Sequence, residues 1–166
     1  MNKGLVEMFR YNAWANKTLF EACRSLTEAQ LAARVPAVSG SVAELLQHIV
    51  GGQQTFVLRT KGRQHEGELS RESEWPGIDR LIALIAETDR TLISIAEKLN
   101  GDEEIDLPFM GSRYRFPVRF FLVHAIGHSA EHRTEVKLAL EQIGVATPDL
   151  DGWHYATVAG YGEEVE

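Results

Sequence analysis

A chain of 166 residues, 44% apolar and 25% charged, has the make-up of one folded globular domain and not of a disordered or disulfide-stapled protein. Its formal net charge of −7 argues against a duplex-DNA binder, whose nonspecific affinity comes from cationic neutralisation of phosphates. The single cysteine, Cys23, has no partner for an internal disulfide and reads as a small buried hydrophobe in a reducing compartment.

No basic run followed by an apolar core opens the chain, and no stretch approaches the roughly 20 apolar residues that span a bilayer. A cytoplasmic protein with no membrane or nucleic-acid partner is therefore expected. In chain order, Leu5, Met8/Phe9, Leu19, Cys23 and Leu26 recur at helical spacing and predict a first amphipathic helix, with Asn12 and Asn16 on the same stripe. A second helix runs from Ser41 to about Thr60. Ser41 with Glu44 three residues on is a capping-box pattern, and Leu45, Leu46, Ile49 and Phe56 form the apolar face. His48 lies at the margin of that face, and Gly51 and Gly52 one turn later let another backbone or a ligand approach closely.

The polar stretch that follows reads as a surface loop, with His65 solvated. Ile78 to Leu99 predict a third helix with Asp89 on its apolar stripe, ended by Asn100-Gly101. Asp89 either supports a site, hydrogen-bonds within the core or lies at the wet edge of the stripe. The segment DEEIDLPFMGSRYRFPVR reads as a turn or small hairpin, after which Pro117 opens a long final helix to about Ile143, with Gly144 as its stop. An irregular tail follows, in which Trp153 and His154 close one end. Four long helices and almost no strand pattern predict an all-α fold, a four-helix bundle in one domain over residues 1–166.

The last helix carries VHAIGHSAEHR, which sets His124, His128 and His132 at intervals of four. At about 100° and 1.5 Å per residue, adjacent members lie about 40° and 6 Å apart, so one ion holds only two of them. On the helical projection His132 falls inside the arc of Val118, Phe121, Ala125, Val136, Ala139 and Ile143, His128 at its edge, and His124 outside. His128 and His132 are thus the predicted ligands, while His124 supports them, faces solvent or lies near a substrate. The plainer alternative is a pair of core histidines satisfied by hydrogen bonds. Catalytic zinc-type sites carry three protein ligands and leave a position open, and His48 is the best third candidate.

Glu131 is a candidate general base, because HSAEH matches the H-x-x-E-H spacing of inverted zinc peptidases. Those enzymes also need a downstream ligating carboxylate, so a solvated helix face is the simpler reading. No Gly-x-Ser-x-Gly elbow, P-loop or Gly-x-Gly-x-x-Gly is present to support other chemistry. Phe120, Val123 and Leu138 form a smaller apolar patch away from the core face, suited to a subunit contact.

Taken in order, YNAWANKTLFEAC, VAELLQHIVGGQQTFV, LVHAIGHSAEHRTEV and TPDLDGWHYA resemble the DinB/YfiT-like family, a group read as metalloenzymes. The resemblance implies a four-helix bundle of unusual connectivity, a homodimer, and a divalent ion bound through three histidines that here are His48, His128 and His132. The family often continues its His-Arg with Gly-Gln, where this chain has Thr134-Glu135. Family relatives include enzymes that use low-molecular-weight thiols, among them mycothiol-dependent maleylpyruvate isomerase and bacillithiol S-transferases.

The expected function is a metal-dependent enzyme, a thiol-dependent S-transferase or isomerase acting on small electrophiles. Zinc or nickel is expected at the site, with iron and manganese as other options. The alternatives are a non-catalytic, stress-associated metal-binding homodimer and a metal-dependent hydrolase.

Overall fold

The computed structural model describes residues 2–36, 38–64 and 67–162; the solvated reading of His65 lies outside them. Helix α1, Lys3–Ala22, is capped by the Asn2 side chain, which accepts from the Leu5 amide at 3.1 Å. It stops before Leu26, passing into a 3₁₀ turn at Cys23–Ser25. A one-turn helix α2, Glu28–Leu31, follows, held by a capping box between Thr27 and Gln30.

Helix α3, Val42–Arg59, begins where the Ser41-Glu44 pattern places it. The Glu44 carboxylate accepts from the Ser41 amide at 2.9 Å, and the Ser41 hydroxyl accepts from the Glu44 amide at 3.3 Å. Helix α4 is Ile78–Lys98 and helix α5 is Val118–Gln142.

Between α4 and α5 the chain is not helical, which corrects the all-α expectation. Strands β1, Glu104–Phe109, and β2, Ser112–Pro117, pair antiparallel, with Ile105 opposite Phe116 and Leu107 opposite Tyr114. The two-residue turn has positive φ at both positions, 49° at Met110 and 80° at Gly111, the backbone that matches the right-handed twist of a hairpin. Pleating then puts Ile105, Leu107, Phe109, Tyr114 and Phe116 on one face and Glu104, Asp106, Arg113 and Arg115 on the other. On the charged face, Arg115 donates to Asp106 at 2.9 Å.

The tail is likewise more regular than expected. Helix α6, Gly152–Ala159, starts at Asp151, whose carboxylate accepts from the His154 amide at 2.8 Å. It docks on α1 through Tyr155, which donates to Glu7 and lies 5.4 Å from the rings of both Tyr11 and Trp14. His154 lies edge-on to Trp14, but Trp153 is 85% exposed and closes nothing.

The molecule is thus mostly helical with one small sheet. Helix α1 packs on α4 and α5, and α3 packs on the same two. Buried side chains fall into two apolar clusters, one around Leu19, Leu45, Ile49, Ile85 and Leu140, the other around Phe9, Leu92, Val118, Phe121 and Leu122. A buried polar layer of Asn12, Asn16, Gln53, Thr88, Asp89, Ser129 and Arg133 occupies the intervening positions on α1, α3, α4 and α5. No helix among the described residues is long and apolar enough to cross a membrane.

Candidate metal centre

The packing of α3 on α5 brings His48 against His128 and His132. One ring nitrogen from each lies within 4.8 Å of the others. Ring centroids are 4.7 Å apart for His48–His128, 4.5 Å for His48–His132 and 4.4 Å for His128–His132. The Nε2 atoms of His48 and His128 face one another at 3.1 Å. His124 stays outside the group. Its exposed ring packs on Phe56 at 4.6 Å and stands 6.4 Å from His128. Glu131 is exposed on α5 and is not part of the cluster.

Two glycines make the approach feasible. A Cβ on Gly52 would stand 2.3 Å from Cε1 of His128, so the imidazole occupies the space that any other residue would fill. A Cβ on Gly51 would meet the Leu69 carbonyl oxygen at 1.9 Å, so this glycine seats the 67–73 segment on α3. That segment forms one wall of a cavity of about 370 Å³ whose lining includes His48, His128, Phe56, Arg71 and Glu72.

At His48 and His128 the electrostatics favour the uncharged imidazole. Burial, with the neighbouring Arg71 and His132, brings His48 down to about 4. Burial, with His132, His48 and His124, brings His128 down to about 3. Neutral imidazole is the form that binds a cation, so the donor set fits a divalent ion. Nδ1 of His128 is buried against Gly52 with no hydrogen-bond partner among the described residues, which leaves Nε2 as the nitrogen turned to the cluster.

His132 is oriented differently. Its Nδ1 stands 2.5 Å from Oε2 of Glu135, while Oε1 of Glu135 accepts from the Ser39 hydroxyl at 2.8 Å and the Ser39 amide at 3.2 Å. Burial pushes this carboxyl up, but the bonds from His132 and Ser39 outweigh it and hold it below the usual range. Arg71 completes the chain by donating to the Ser39 carbonyl and hydroxyl, each at 2.8 Å. A carboxylate on the outer nitrogen fixes the tautomer of a ligating histidine and raises its basicity.

Rotation of α5 is set by the buried polar layer. Arg133 donates to the side-chain oxygens of Asn12 and Asn16 at 2.7 and 2.6 Å. Both asparagines in turn donate to Asp89, at 3.4 Å from Asn12 and 3.0 Å from Asn16, and Gln53 donates to it at 2.9 Å. Asp89 is thus hydrogen-bonded within the core, and burial lifts its carboxyl to about 6 against the pull of those bonds and of Arg133.

Sequence reasoning missed three contributors here: Glu135, Arg71 and Arg133. The i,i+3 spacing of His132 and Glu135 was an available signal for the first. Three polar residues on apolar stripes, Asn12, Asn16 and Asp89, implied a hidden partner such as Arg133.

Fold and site together define a mostly helical protein with a clustered three-histidine site between two packed helices. The DinB family model matches residues 1–165, and the chain belongs to the DinB family. It is 23% identical over 154 residues to Protein DinB of Bacillus subtilis (strain 168), covering 87% of this chain and 89% of that one. Its fold is similar to the crystal structure of a DinB-like protein from Bacillus cereus ATCC 10987, with a TM-score of 0.68 and 17% identity, covering 89% of this chain and 96% of that one.

Proposed function

We propose that this DinB-family protein is a divalent-metal-dependent cytoplasmic enzyme, a thiol-dependent S-transferase or isomerase acting on small electrophiles, built on a four-helix bundle. The observation that carries the reading is the convergence of His48, His128 and His132 within 4.8 Å. Zinc or nickel leads among the ions that imidazole suits, ahead of iron and manganese. Such an ion supplies Lewis acidity that lowers the pKa of a thiol or water.

The chain's own residues do the positioning. Glu135 holds the His132 ring through Nδ1, and Gly52 leaves room for His128. The cavity beside His48 and His128 admits a small molecule, and Arg71 on its wall suits an anionic group of that molecule. The test is to titrate metal-free protein with zinc or nickel and assay thiol transfer to an electrophile, with His132→Ala as control. Saturable metal uptake with activity lost in the variant supports the reading; undiminished activity in His132→Ala ends it.

A second reading, a non-catalytic metal-binding homodimer, is favoured by the exposure of Phe120, Val123 and Leu138, at 46%, 61% and 40%. Sedimentation as a monomer at micromolar concentration would count against that contact. A hydrolytic version at the same site is less well served, because its general-base candidate Glu131 is exposed.

A further inference from the structure

The apolar face of the hairpin and the first turns of α5 enclose a second concavity of about 390 Å³, lined in part by Phe56, Leu107, Phe109, Phe116, Phe121 and His124. Its volume lies within the range of small-molecule pockets. The rings are arranged for contact with further rings: Phe116 stacks on Phe120 with centroids 5.8 Å apart, and lies edge-on to Phe109 and Phe121 at 6.1 and 5.6 Å. Phe109 and Phe120 nevertheless remain 55% and 46% exposed. The hairpin thus turns its aromatic face into this concavity while its other face is charged.

This chamber adjoins the three-histidine site. Thr55 and Phe56 line both cavities. The Phe56 ring is the partition, 4.6 Å from His124 on one side and 5.5 Å from His128 on the other. Arg59, Thr55 and His124 supply the polar groups of an otherwise apolar lining.

We propose that this chamber is a binding site for the aromatic or flat apolar body of the substrate, whose reactive end passes Phe56 to reach His128 and its neighbours. The reach toward the histidines rests on the metal-enzyme reading above; the chamber itself does not. Apolar contact with the phenylalanine rings gives affinity, and His124 orients the polar end.

Fluorine NMR of para-fluorobenzyl alcohol tests this on metal-free and cobalt(II)-loaded protein. Saturable binding to the metal-free protein is expected. Affinity should fall about tenfold in Phe109→Ser/Phe120→Ser, which removes two aromatic contacts at half-exposed positions outside the core. Phe109→Ser alone, checked for folding by circular dichroism, should show a smaller loss.

Enhanced fluorine relaxation is expected in the cobalt-loaded protein. Absent or non-saturable binding, or affinity unmoved by both variants, overturns the chamber. Binding without enhancement in protein that has taken up cobalt overturns the passage to the histidines. Failure to take up cobalt, with saturable and substitution-sensitive binding retained, supports the chamber and removes the metal-enzyme reading instead. If a second copy of the chain covers this face, the double variant changes the sedimentation rate but not probe affinity, and the proposal falls.

Discussion

Oε2 of Glu135 meets Nδ1 of His132 at 2.5 Å, and the same carboxylate is tied by Ser39 to Arg71 on the cavity wall. The His132 ring is thereby held in tautomer and angle. Removing such an outer partner lowers metal affinity by about 10–100-fold in comparable sites. Glu135→Ala is expected to weaken zinc binding within that span. Glu135→Gln keeps an acceptor for Nδ1 and loses less. Competition titration against a chelating dye checks both, and equal affinities for all three proteins would refute a positioning role.

Gly52→Ala separates the site from the fold. The added methyl group would meet the His128 ring at 2.3 Å, whereas an alanine in a helix interior gains about 0.5–1 kcal/mol over glycine. The helix gain offsets part of the overpacking against the ring, so the expected variant stays folded with little change in urea resistance while its metal affinity drops. Unaltered affinity would mean that the ring does not need the space.

The pH dependence of the metal-free protein follows from the two depressed histidines. His48 titrates at about 4 and His128 at about 3 in the folded chain, against 6.5 for a free imidazole. As pH falls below 6.5 the unfolded chain takes up protons that the native state refuses, so stability is lost between pH 6.5 and about 3. Asp89 has the opposite sign: raised from 3.8 to about 6, it makes stability fall as pH rises through that window. Urea midpoints from pH 4 to 7, compared between the parent and His48→Gln/His128→Gln, isolate the histidines. Toward acid the parent's midpoint should fall relative to the variant's; a constant offset between the two contradicts the assignment.

Arg133→Met probes the polar layer. It strips the donors from Asn12 and Asn16 and leaves buried Asp89 without the nearby cation. Breaking one side of a buried charged arrangement costs about 3–5 kcal/mol. A loss of that order in denaturant unfolding is expected, and a loss under about 1 kcal/mol would show the layer to be dispensable.

What could be read without coordinates was local or periodic. Ser41 and Glu44 announce the start of α3 because both halves of the cap lie three residues apart, and the spacing of His128 and His132 implies a shared face. Asn12, Asn16 and Asp89 stood out as polar residues on apolar stripes. Their partner was obscured because a long cation normally belongs in water, and Arg133 looks like an ordinary surface residue until α1 and α4 close over it.

The hairpin was foreseen only as a connection. Pro108 interrupts its pattern, and Met110 stands where a hairpin turn usually carries Asn or Asp. Arg71 was invisible for a different reason: its loop reaches the site only because Gly51 allows Leu69 to settle on α3.

The lone sulfhydryl has a practical bearing on all the assays above. Cys23 is 1% exposed, and burial pushes it up to about 12, so at neutral pH it presents almost no thiolate to an alkylating reagent. Electrophile consumed in such a mixture has therefore not gone to the protein's own thiol. A catalyst handling alkylators would thus keep its one sulfur out of their reach.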